Sequence, residues 1–170
     1  MDDNPCLVTY ASRYGSTAEI AARLGSTLTT HRLNVSVRPI ADVTSLDEYG
    51  SVVIGAPIYS AEWPAEMDAF VRAHAAALKA LPVALFAVAL RLRDPSDELR
   101  TAVMGTIDLY RVMLAPVSVG LFAGALEYGK LSPIVRLQIQ TKGLPEGDFR
   151  DWAAITRWAD ELPPLFAARR

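Results

Sequence analysis

A chain of 170 residues that is 51% hydrophobic has enough apolar surface for the core of one globular domain spanning residues 1–170. With 17 Lys and Arg against 19 Asp and Glu, the net charge of −2 creates no field that would gather nucleic acid or an anionic membrane, so any anion site must be local. Cys6 is the only cysteine, which excludes an internal disulfide and any multi-cysteine zinc or iron-sulfur site. It fits a reducing compartment, and because MDDNPCLVTYAS does not read as a signal peptide, a cytoplasmic protein is expected.

Five apolar runs predict strands over 6–11, 35–40, 51–56, 82–90 and 116–122. VVIGA and VALFAVAL are apolar on consecutive rather than alternate residues, as strands are when both faces of a parallel sheet are covered. Between and after them, residues 17–28, 64–78, 97–113 and 152–166 carry helical spacing; Ile20, Ala21, Leu24 and Leu28 line one face of the first. Pro64 suits the opening of the second helix, where its missing N–H costs little. Strands alternating with such helices predict right-handed βαβ units and a doubly wound sheet. ADVTSLDEYG, between the second and third strands, has room for at most one turn. An insert over about 123–151 follows the last strand and is too long for a simple connection, the kind of segment that often carries function.

The loop after the first strand, within YASRYGSTAEIAARL, has the makings of a phosphate cradle. A strand-to-helix loop points backbone N–H groups and the positive end of the helix dipole at one place. Ser12, Ser16 and Thr17 add hydroxyls, Arg13 adds charge, and Gly15 permits a tight path. The loop has neither GxxxxGK[ST] nor GxGxxG, so a terminal monophosphate fits better than a nucleoside triphosphate or a dinucleotide. A plain Ser/Thr-rich helix cap is the competing reading.

Ligands of a doubly wound sheet sit outside the carboxyl ends of the strands. The third strand ends in APIYSAEWP, where Tyr59 and Trp63 offer flat faces to a planar ring; Tyr59 is the better candidate, and Trp63 serves equally well as a staple between helix and sheet. After the fourth strand, ALRLRDPSDE offers backbone amides to a ring edge, and Arg91 and Arg93 either face an anionic substrate or form a solvated helix entrance. Gly124, in FAGAL, either admits a close ligand or backbone or simply makes a turn.

TYASRYGSTAEIAARL, VVIGAPIYSAEWPAEMDAFV, VGLFAGALEYGKLSPIVRL and GDFRDWAAITRWADEL together resemble the flavodoxin-like family. Within it, they are most similar to the menaquinone-dependent protoporphyrinogen oxidase subgroup and its flavodoxin-domain relatives. The resemblance runs in order through most of the chain and is weakest over 91–113. It implies an α/β fold with a five-stranded parallel sheet in the order 2-1-3-4-5 and helices on both faces. It also implies FMN, its phosphate held by Ser12, Arg13, Tyr14, Gly15, Ser16 and Thr17. Pro57, Ile58, Tyr59, Ser60 and Ala61, together with Leu90, Arg91 and Leu92, would border the isoalloxazine. In membrane-linked members the insert is longer, more basic and more aromatic; here its middle carries Lys130, Arg136 and Lys142. Leu131, Ile134, Val135 and Ile139 suit either a small amphipathic helix at a membrane surface or packing on the domain.

The resulting expectation is an FMN-binding redox protein acting on a small organic substrate, a porphyrinogen or a quinone, with at most peripheral membrane contact. The alternatives are a one-electron carrier serving a redox protein partner, a deazaflavin-binding relative, and, outside redox chemistry, a cofactor-free binding module. The near-balanced charge and the arginines at the strand ends favour an organic substrate over the carrier. A phospho-receiver shares the topology but needs an Asp at the end of the third strand, where GAPIY has none; Asp2 and Asp3 precede the first strand rather than follow it. His31 and His74 show no ligand or catalytic spacing.

Overall fold

A computed structural model of the chain describes residues 4–169, so Asp2 and Asp3 lie outside the described residues. Five strands, β1 (Cys6–Tyr10), β2 (Val35–Pro39), β3 (Ser51–Pro57), β4 (Val83–Val88) and β5 (Ser118–Phe122), form one parallel sheet in the order β2-β1-β3-β4-β5. This is the order the family resemblance implies. β3 and β4 are buried along their whole length, which is why their sequences are apolar on both faces.

Alternate strand residues feed two separate cores. Leu7, Ile54 and Leu85 pack on one face of the sheet, and Val8, Val53 and Phe86 on the other. Helices α1 (Ser16–Thr30) and α7 (Trp152–Ala168) cover the second face, burying Ile20, Leu24, Leu28, Ile155, Trp158 and Leu162. α2 (Ala65–Ala73), α3 (Ala75–Ala80), α4 (Asp97–Thr106) and α5 (Asp108–Leu114) cover the first. Pro163 and Pro164 lie inside α7 and remove two backbone donors, yet the helix continues far enough to bury Phe166.

Two helices that the sequence predicts as continuous are interrupted. The 64–78 pattern breaks at His74 (φ −105°, ψ 13°) and the 97–113 pattern at Ile107 (φ −106°, ψ 9°). Met67 and Phe70 before the first break and Leu78 after it all reach the same core, as do Val103 and Tyr110 on either side of the second. Packing on a twisted sheet overrides local periodicity at both places. Pro64 caps α2 rather than opening it. The segment between β2 and β3 contains a single 3-10 turn, Ile40–Asp42.

The insert is a closed excursion. β6 (Ala125–Leu126) pairs antiparallel with β7 (Gly147–Asp148), so the chain leaves and re-enters at one point, and between them α6 (Pro133–Thr141) lies on the surface. α6 buries none of its residues; Val135 and Ile139 are half-buried, while Ile134 and Leu137 are exposed. Leu131, grouped with them on sequence, is buried just before the helix. Among the described residues, no helix is long and apolar enough to cross a membrane.

Candidate functional site

The loop between β1 and α1 places Gly15 at the helix N-cap with φ 96°, a left-handed conformation that glycine adopts at little cost. Its N–H donates to Ser12 Oγ at 3.1 Å, closing the loop on itself. Although hydroxyls surround it, α1 has no side-chain cap. α2, α3 and α5 lack one too, whereas α4, α6 and α7 are capped by Ser96, Ser132 and Asp151, whose oxygens accept from backbone N–H groups. The first N–H groups of a helix have no intrahelical acceptor, so the start of α1 retains donors and a positive dipole end for an anion. Ser12, Tyr14, Gly15 and Ser16 are half-buried around it, Arg13 is exposed and Thr17 is buried.

The loop after β3 turns sharply. Tyr59 and Glu62 exchange two backbone hydrogen bonds of 3.0 Å, and Ser60 and Ala61 between them have φ of 50° and 62°. Two consecutive left-handed residues make a type I′ turn, which ordinarily uses Asn or Gly; a Ser-Ala pair holds strain of the kind found at ligand clamps. The turn aims Tyr59 back at the first loop. Its ring meets Tyr14 edge-on at 6.5 Å, and the Arg13 guanidinium lies 5.7 Å from its centroid. Desolvation, reinforced by Tyr14 and opposed by Arg13, pushes the Tyr59 phenol up to about 12.

The remaining strand ends converge on the same region. Pro57 is buried, and the Ile58 N–H donates to the Val88 carbonyl at 2.8 Å, locking the β3 loop to the end of β4. Leu90–Arg93 form a 3-10 turn in which Leu92 packs on the core and Arg91 is exposed. Arg93 bends toward the insert, 5.9 Å from the Phe149 ring. Gly124 is buried, and a Cβ there would lie 3.1 Å from Val88 Cγ1 and 4.0 Å from Ser16 Oγ. What lies close to Gly124 is thus the Val88 side chain, with the Ser16 hydroxyl of the first loop at the edge of contact. An open apolar groove of about 550 Å³ adjoins this loop at Ser12, between Pro39 and Ile40 on one side and Ala69 and Phe70 of α2 on the other.

Trp63 does not reach the site. It is buried against Tyr110 of α5 with ring centroids 4.6 Å apart, so of the two readings it is a staple. His31 pairs with Asp160 at 2.8 Å, tying the end of α1 to α7, and the His74 ring lies tilted against Phe70 at the helix break. The sequence reading passed over Arg150, which the returning limb of the insert brings against the first turn of α1. Its signal was present in GDFRDW, an arginine between two aspartates at the insert's end.

The family model described as "Flavodoxin domain" matches residues 7–151. A Leishmania major protein named protoporphyrinogen IX dehydrogenase [quinone] is 30% identical over 173 residues, covering 94% of this chain and 75% of its own length. Its Escherichia coli K12 namesake is 29% identical over 174 residues and covers 94% of both chains. In fold, the chain is similar to a Streptococcus pneumonia TIGR4 flavodoxin (TM-score 0.58, 19% identity, 97% and 99% of the two chains covered). It is equally similar to oxidised Flavodoxin 2 from Bacillus cereus (TM-score 0.57, 18% identity, 98% and 99% covered). With the sheet order, the glycine-turned loop and a match over most of its length in agreement, the chain belongs to the flavodoxin-domain family.

Proposed function

We propose that this protein is an FMN-dependent oxidoreductase that oxidises a porphyrinogen-type substrate and passes the electrons to a quinone. The observation that carries the reading is the start of α1, which opens at left-handed Gly15 with no side-chain cap, in a loop that also holds the hydroxyls of Ser12, Ser16 and Thr17. That donor set suits a phosphate dianion, while Tyr59 and the β3 and β4 loops suit a flat ring beside it. The relatives named protoporphyrinogen IX dehydrogenase [quinone] support the substrate pair.

Bound FMN supplies the hydride and electron chemistry. The chain's residues bind and orient. The start of α1 holds the phosphate, with Arg13 adding charge at the mouth. Pro57, Ile58, Tyr59, Ser60, Ala61, Leu90, Arg91, Leu92 and Gly124 border the ring. The Tyr59 phenol, neutral at physiological pH like any tyrosine, offers an O–H donor rather than a negative charge. Exposed Arg13 and Arg91 favour substrates that carry carboxylates.

The test is an absorbance spectrum of the purified protein, mass identification of anything released on denaturation, and titration with FMN and with a deazaflavin. Porphyrinogen oxidation is then followed by porphyrin fluorescence, with and without a quinone. FMN binding with quinone-dependent turnover supports the reading. FMN binding without turnover would leave a one-electron carrier, and deazaflavin preference would overturn the cofactor assignment.

A further inference from the structure

Arg150 has an environment out of proportion to a surface arginine. Its side chain is only 8% exposed, although it belongs to a loop residue. Nε and Nη2 donate to the two Asp148 oxygens at 2.8 and 2.6 Å, a fork-on-fork pair. Nη1 donates to Glu19 Oε2 and lies 3.5 Å from the Ser16 carbonyl oxygen. The guanidinium is 4.6 Å from the Trp152 ring centroid, which has Arg23 at 4.9 Å as a second cation. Both α1 contacts, Ser16 and Glu19, lie in its first turn.

Although the guanidinium is covered, the side chains of Glu19 and Asp148 are 53% and 50% exposed, and solvent-screened ion pairs of this kind add little to stability. The location of this one points to a different role. Glu19 is an acidic side chain within one turn of the space assigned to a phosphate, where an unpaired carboxylate would repel the dianion. Arg150 pairs with it. The same guanidinium reaches Ser16, whose hydroxyl belongs to the proposed phosphate shell. Phe149, the residue before it, donates its N–H to the Gly124 carbonyl at 3.1 Å, so the limb that carries Arg150 is itself anchored at the β5 loop.

We propose that Arg150 is a positioning residue for the phosphate loop: it offsets part of the Glu19 charge and clamps the first turn of α1 to the insert stem, making the site selective for a phosphorylated flavin. This rests on the FMN reading above and deepens it.

The test measures Kd for FMN and for riboflavin, which lacks the phosphate, by flavin fluorescence. The proteins are wild type, Arg150→Gln, Arg150→Lys, Glu19→Gln and the Arg150→Gln/Glu19→Gln pair, each checked for folding by circular dichroism. The expected result for Arg150→Gln is an FMN affinity about tenfold to a hundredfold lower, with riboflavin affinity unchanged within about twofold. Removing Glu19 from that background restores part of the FMN affinity, and Arg150→Lys, which keeps the charge but loses the fork, falls between. If Arg150→Gln does not fold, the Arg150→Lys ratio of FMN to riboflavin affinity decides. Equal losses for both flavins would show a merely structural role, and unchanged FMN affinity would overturn the inference while wild-type binding upheld the flavin reading. A wild type that bound neither flavin would overturn both.

Discussion

Ser16 and Thr17 sit where the first turn of α1 has donors and no side-chain acceptor of its own. Replacing both with alanine is expected to weaken FMN binding by roughly tenfold per hydroxyl, the usual worth of a hydrogen bond to a charged group. The melting temperature of the apoprotein should change by no more than a few degrees, so titration and thermal melting together check the prediction. Tyrosines give a second residue-scale prediction. The Tyr59 phenol is pushed up to about 12, chiefly by desolvation. Tyr110 is pushed up to about 12 by desolvation and then by its hydrogen bond to Asp68 Oδ1 at 2.9 Å. A phenol raised in the fold keeps its proton longer than in the unfolded chain. Its contribution to stability is therefore complete below the ordinary value near 10 and is lost as pH rises through about 12. Denaturant melts between those limits should show falling stability, and Tyr110→Phe should make the decline shallower while lowering stability at neutral pH.

At the scale of elements, neighbouring strands set limits that no single segment shows. A Cβ on Gly55 of β3 would lie 2.1 Å from Phe86 ring atoms on β4, and Phe86 is fully buried. Gly55→Ala should therefore cost about 1–3 kcal/mol by overpacking, and Phe86→Leu in the same chain should recover part of the loss in a double-mutant cycle followed by denaturant unfolding. The insert behaves differently because it closes on itself through β6 and β7 while α6 buries none of its residues. Replacing residues 129–142 with a short Gly/Ser linker should lower the melting temperature through the loss of buried Leu131, leave FMN affinity nearly unchanged and reduce porphyrinogen turnover. Equal turnover with and without the segment would reject a substrate role for it.

Across the whole molecule, the proposed site draws on loops at the carboxyl ends of β1, β3, β4 and β5, so its occupant should stabilise the entire fold. A ligand at a hundred times its Kd adds about 2.7 kcal/mol, which for a domain of this size corresponds to a rise in melting temperature of roughly 5–10 °C. FMN should produce a rise of that order. Riboflavin at the same concentration should produce less, because it forgoes the contacts at α1; equal shifts would argue against a phosphate site there.

The strands, the helices on both faces and the absence of a helix between β2 and β3 were legible in the sequence, because burial on two faces writes continuous apolar runs and amphipathic helices write a 3.6-residue period. The glycine-turned loop between β1 and α1 was legible for the same local reason: a strand, a glycine and a helix pattern adjoin in one stretch. The rule that ligands sit beyond the strand ends pointed to the loops after the third and fourth strands, and family resemblance supplied the strand order and the FMN expectation. Only the tertiary structure decided which residues meet across the chain. It placed Trp63 under α5, broke two helices at His74 and Ile107, set Ser60 and Ala61 in a strained turn, brought Gly124 beside Ser16 and buried Arg150 against Glu19. Apart from the Ser60–Ala61 turn, which Tyr59 and Glu62 close locally, these features depend on contacts between segments distant in sequence, where neighbouring residues carry no signal.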